Sequence, residues 1–194
     1  MTPTLVADVD TIASFDAIST GLLILRVIVG MTVAAHGYNK FFGGGRIPGT
    51  ARWFTSMGMR PNGTIHAVLA ASTELAGGVL LAAGLLTPLA GAAIVGLMVV
   101  AGWTTHRDNG FFIVKEGWEY NLVLATVAVA VATIGPGRFS VDWLVGLEPA
   151  FDPNVGLGVS VGLGLVSGIG LLVACYRPPR PEPSDGDGDG DDDG

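Results

Sequence analysis

Residues 66–86 read H-A-V-L-A-A-S-T-E-L-A-G-G-V-L-L-A-A-G-L-L, an apolar run interrupted by one carboxylate, Glu74. About 20 apolar residues at ~1.5 Å rise cover the ~30 Å hydrocarbon core of a bilayer, so this run predicts a transmembrane helix. A charge near its middle costs at least ~2.5 kcal/mol on insertion scales, so Glu74 must be paired, protonated or turned to a polar cavity. Arg26, inside an apolar run at residues 18–39, is the expected partner. Antiparallel neighbours would bring the two to similar depth, and an ion pair would relieve both desolvation penalties. Such an intramembrane pair is either a structural clamp or the floor of a pocket that holds a quinone head or relays a proton.

The rest of the chain supplies a bundle around that helix. Residues 1–17 carry Asp8, Asp10 and Asp16 and are expected to form a polar, disordered or interfacial lead. They lack the basic opening of a cleaved signal peptide, so none is expected. After the first helix, F-F-G-G-G-R-I-P-G-T makes a turn, and A-R-W-F-T-S-M-G-M is too short to span and should fold back or lie in the interface. Asn62 or Thr64 is placed to cap the second helix. Only Leu86-Thr87-Pro88 separates it from a third helix at 89–105, which predicts a tight antiparallel pair. A fourth helix follows at 118–134, with Glu119 in its first turn at the positive end of the helix dipole.

Residues 18–142 thus predict an all-α, integral membrane bundle of four core helices. Residues 143–154 are expected to be an irregular connection, and 155–176 a fifth transmembrane helix. That helix is glycine-rich: Gly156, Ser160, Gly164 and Gly168 recur every four residues, with Gly158 and Gly162 on a neighbouring stripe. Small residues at this spacing let membrane helices approach closely, within the bundle or across a homo-oligomer. Residues 177–194 form a Pro-rich spacer followed by an acidic run expected to be disordered.

The net charge of −7 belongs to that end of the chain. From Pro181 onward there are seven acids and no base, whereas the preceding residues balance at ten of each. With five spans, Lys40, Arg46, Arg52, Arg60, Arg107, Lys115, Arg177 and Arg180 fall on one side of the membrane and only Arg138 on the other. The positive-inside rule then predicts an outer N-terminus and a cytoplasmic tail, in a multi-pass protein of the cell membrane.

His36, Asn39 and Lys40 share a helix face near the basic side. His106 and Glu119 flank the loop between the third and fourth helices on that side, completing an expected polar cluster. No tight pair of histidines or Glu-x-x-His spacing is present, so no metal site is predicted. His66, at the start of the second helix, reads as a helix-end polar residue. The lone Cys175 excludes an internal disulfide and a C-x-x-C redox pair. Gly43-Gly44-Gly45 lacks the strand and lysine of a phosphate loop. The bases suit topology and anionic lipid rather than nucleic acid.

The order of L-L-I-L-R-V-I-V-G-M, H-G-Y-N-K-F-F-G, G-T-A-R-W-F-T-S-M-G-M, E-L-A-G-G-V-L-L-A-A-G-L-L-T-P-L-A, E-G-W-E-Y-N-L-V-L and G-P-G-R-F-S-V-D resembles the DoxX family of small membrane proteins. These pieces cover roughly residues 20–142. The resemblance implies a four-helix bundle, with Arg26, His36, Lys40, Glu74 and Glu119 matching the family's polar positions. It implies a redox association, as membrane subunit of a thiosulfate:quinone oxidoreductase or of a complex with superoxide dismutase and a thiosulfate sulfurtransferase. Quinone and soluble redox enzymes are then the expected cofactor and partners. A non-enzymatic scaffold is the alternative. A proton-coupled transporter fits less well, because no inverted repeat or discontinuous helix pair is evident.

Overall fold

A computed structural model describes residues 3–178, with side chains from Thr11 onward. The acidic run expected to be disordered lies outside the described residues. Among the described residues there are eight α-helices: α1 Pro3–Phe42, α2 Arg46–Ser56, α3 Gly63–Ala83, α4 Thr87–Ala101, α5 Glu119–Ile134, α6 Val141–Leu144, α7 Pro153–Leu157 and α8 Gly164–Cys175. α4 continues through a π-turn at Gly102–His106, and a second π-turn at Gly158–Leu163 joins α7 to α8 into one rod. Four helical stretches are long and apolar enough to cross a membrane: Thr11–Phe42, Gly63–Ala83, Thr87–Asn109 and Pro153–Cys175. α5 is equally apolar but has 16 residues, about 24 Å of rise.

α1, α3, α4 and α5 close a ring, each packed on the next. Its centre is filled by Leu22, Val29 and Val33 of α1, Leu81 of α3, Ala90 and Ile94 of α4, and Leu124, Ala128 and Val131 of α5. The rod of α7 and α8 lies outside this ring, against α4 and α5, with Val166 and Val173 on its open face. The expected four core helices plus a C-terminal one are therefore the architecture found.

The α1–α3 contact is the most extensive, and glycine sets its register. A Cβ at Gly78 would collide with the Gly30 carbonyl and the Ala34 amide, and a Cβ at Gly37 with the backbone of Ala71 and Leu75. Gly30 and Gly37 are seven residues apart on one helix, as are Ala71 and Gly78 on the other. In lipid, where apolar surface gives helices no reason to associate, such backbone proximity and the contacts it permits hold the pair.

The small-residue stripe of the C-terminal rod is used internally. Gly156 meets the Ala132 carbonyl, Gly164 lies on Val95, Gly168 lies on Gly96 and Val99, and Ser160 is fully buried. Gly158 and Gly162 have nothing within 4 Å.

Two boundaries differ from expectation, while the expected fold-back of the short aromatic segment is present. The N-terminal lead is helical from Pro3, because α1 continues as one helix beyond the apolar run; Arg138 holds Asp16 at 2.6 Å, and the Arg138 amide donates to Ser19. The short aromatic segment becomes α2, folded back on α3, where Gly63 abuts Ala51 and Thr55. The connection before the rod contains α6, capped by Ser140 accepting from the Trp143 amide. Asn62, rather than Thr64, caps α3, accepting from the Thr64 amide at 2.8 Å.

Candidate functional site

The expected Arg26–Glu74 pair is not formed. Glu74 is paired with Lys40, whose Nζ lies 2.6 Å from both carboxylate oxygens. The register explains the exchange. With Gly37 opposite Ala71 and Leu75, Lys40 falls one turn from Glu74, whereas Arg26 falls opposite Gly84. Those two positions on α3 are ten residues, or about 15 Å, apart. Both partners are mostly covered, with side chains 19% and 13% exposed, so removing either would leave a charge with little water to replace it.

Arg26 belongs to a second polar centre at the opposite end of the bundle. It is fully buried and donates through Nη2 to the Phe139 carbonyl. Gly84, at φ +65, ends α3, and a Cβ there would occupy the space of Arg26 Nη1. Asp142, also fully buried, supplies the opposing charge. Its carboxylate accepts from the Leu86 amide at 2.8 Å, the Thr87 amide at 3.0 Å and the Thr87 hydroxyl at 2.7 Å. It therefore closes the start of α4 and holds Leu86 at φ 50, a left-handed geometry costly for leucine. Arg26 and Asp142 thus share one buried polar centre without a direct hydrogen bond between them, and Arg26 Nε and Nη1 have no partner there.

The Lys40–Glu74 pair lines a cavity of about 340 Å³. α4 forms the floor of this cavity, from Ala93 to Thr104, with α3 along one side and α8 along the other. α3 and α8 both pack on α4 and barely meet each other, which leaves the space between them. Its basic end is closed by α2 and by Met59, which bridges to Tyr176. The lining is predominantly apolar, in the lower range of small-molecule sites.

Of the remaining expected residues, only part of the cluster assembles. His36 lies against Tyr120, with ring centroids 6.5 Å apart, and Asn39 lies near Gly43. His106 Nδ1 is 2.6 Å from the Glu116 carbonyl, and Glu119 accepts from the Ile113 amide at 2.9 Å. These last two brace the loop at 107–118 and do not reach the cavity. Among the described residues, no group of three or more His, Cys, Asp or Glu side chains could hold a metal ion.

Sequence reasoning read His66 only as a helix-end polar residue. It is 4% exposed, lines the cavity and approaches the Arg60 carbonyl through Nε2 at 2.8 Å. The signal was available: His66, Ala70, Thr73 and Glu74 share one face of a helix by spacing alone. Asp142 was passed over, because its partners are backbone amides 55 and 56 residues away.

The family model described as DoxX matches residues 21–107. A protein of Bacillus subtilis (strain 168) whose name reads "Putative oxidoreductase CatD" is 32% identical over 111 residues, covering 57% of this chain and 78% of that protein. No solved structure matches. The matched residues take in α2, α3, α4 and all of α1 that carries Arg26 and Lys40, whereas the α8 wall of the cavity lies beyond them. With its ring of membrane helices and this relationship, the chain belongs to the DoxX family.

Proposed function

We propose that this membrane protein is the membrane subunit of a quinone-linked redox system in the cell membrane, acting in sulfur or thiol oxidation or in oxidative-stress defence. The observation that carries this reading is the cavity between α3 and α8. It is predominantly apolar, lies between helical stretches of membrane-spanning length, and has the Lys40–Glu74 ion pair in its wall. That combination suits a small polar head on an apolar tail, delivered from the bilayer. The oxidoreductase name of the Bacillus relative supports the redox class. Seven described bases, from Lys40 to Arg177, gather at the end where the cavity closes, which supports a cytoplasmic orientation and docking of a soluble redox enzyme there.

Gentle extraction from native membranes followed by mass spectrometry of bound small molecules and co-purifying proteins tests this. Quinone is expected with the wild-type protein and at least about tenfold less with Glu74→Gln, on the scale of one lost charge-assisted contact. Wild-type protein free of quinone, but carrying a soluble protein in fixed ratio, would replace this reading with a non-enzymatic scaffold.

A further inference from the structure

We infer that the loop between α4 and α5, residues 107–118, is an interfacial anchor whose apolar tip, Phe112 to Val114, sits in lipid where headgroups meet acyl chains. The inference is independent of the cavity and of whatever binds there.

The tip is held out of the fold. Phe112, Ile113 and Val114 are consecutive and 61%, 49% and 88% exposed. Clustered large apolar side chains left uncovered mark a surface that meets another apolar phase. An unconstrained loop could hide them by collapsing, but this one is braced. The Lys115 and Gly117 amides both donate to the Phe112 carbonyl, and the Glu116 amide donates to the Ile113 carbonyl. At the base, the Trp118 amide donates to the Gly110 carbonyl, and Phe111 stacks edge-on against Trp118. The side chains of His106 and Asn109 both reach the Glu116 carbonyl. The loop thus meets much of its own backbone demand, which an irregular segment needs where water is scarce.

α5 indicates what covers the tip. Its 16 residues rise about 24 Å, short of the ~30 Å hydrocarbon core. The Glu119 amide donates to the Phe111 carbonyl, and the Glu119 carboxylate accepts from the Ile113 amide. The tip is therefore fastened to the first turn of the short helix and adjoins its lipid-facing surface, where Leu122 and Val123 are exposed. A short span is accommodated by thinning the bilayer at some cost, and an apolar tip beyond its end lessens that mismatch. Trp103, Trp118 and Tyr120, all partly exposed around the same end, give the aromatic pattern of a headgroup boundary. Asp108 and Glu116 balance Arg107 and Lys115 within the loop, so apolar contact provides the attraction and zwitterionic lipid suffices.

The test uses the full chain in phosphatidylcholine nanodiscs. Cys175→Ala removes the one native cysteine, and Val114→Cys then carries a nitrobenzoxadiazole dye. Lipid brominated near the top of its acyl chains is expected to quench the dye. Aqueous iodide should quench it at least about tenfold less than it quenches free dye, a ratio that burial of one large apolar side chain maintains. Phe112→Ser with Ile113→Ser in the same labelled chain should restore iodide quenching. Strong iodide quenching without bromolipid quenching in the first chain would overturn the inference and leave the tip as a surface for a soluble protein. Unchanged bromolipid quenching in the serine variant would overturn it too, because the dye alone would then be the anchor. The first comparison decides against a tip in water whether or not the serine variant folds.

Discussion

Asp142→Ala is expected to cost about 2–3 kcal/mol of bundle stability, the upper range for leaving buried hydrogen-bond donors without their acceptor. Three losses coincide. Arg26 is left fully buried without an opposing charge, the amides at the start of α4 lose their acceptor, and Leu86 loses the bond that holds it at φ 50. Arg26→Met combined with Asp142→Leu should recover only the part due to the uncompensated Arg26 charge, because leucine still leaves the Leu86 and Thr87 amides without an acceptor. Unfolding in mixed detergent, followed by circular dichroism, measures both variants. A loss below about 1 kcal/mol for Asp142→Ala would mean that water replaces the carboxylate at the start of α4.

Gly78→Ala should approach or exceed the ~1–3 kcal/mol typical of overpacking, although it adds a single methyl. The added carbon would meet the Gly30 carbonyl and the Ala34 amide, and both belong to helix backbone that cannot swing aside. α1 and α3 would have to separate, lengthening the Lys40–Glu74 contact on the same interface. The same detergent unfolding reads the stability loss, and it should be accompanied by lost quinone retention. Gly158→Ala is the matched control: with no atom within 4 Å, it should leave both unchanged.

These glycines also explain what could be read from the chain. Apolar runs of membrane-spanning length, split by Leu86-Thr87-Pro88 and by Gly135-Pro136, establish the helices and their antiparallel order. They do not establish how far one helix slides along another, and a charge pair depends on that offset. Arg26 and Glu74 each lie near the middle of an apolar run, which made them look level. The seven-residue spacing of Gly30 with Gly37 and of Ala71 with Gly78 sets the true offset and selects Lys40. The more conspicuous glycines of the C-terminal helix drew attention from it. His66 was underread for a different reason: nearness to a helix start resembles exposure until α2 folds over it.

The main-chain seam between Gly58–Arg60 and Cys175–Arg177 has a mechanical consequence. The Arg60 amide donates to the Cys175 carbonyl at 2.8 Å, and the Arg177 amide to the Gly58 carbonyl at 2.9 Å. Met59, held between them, is both a wall of the cavity and the residue bridged to Tyr176. Tension applied to the chain beyond Arg177 would therefore be carried across the seam into that wall before it reached the helices. The seam is therefore also a handle on the chamber.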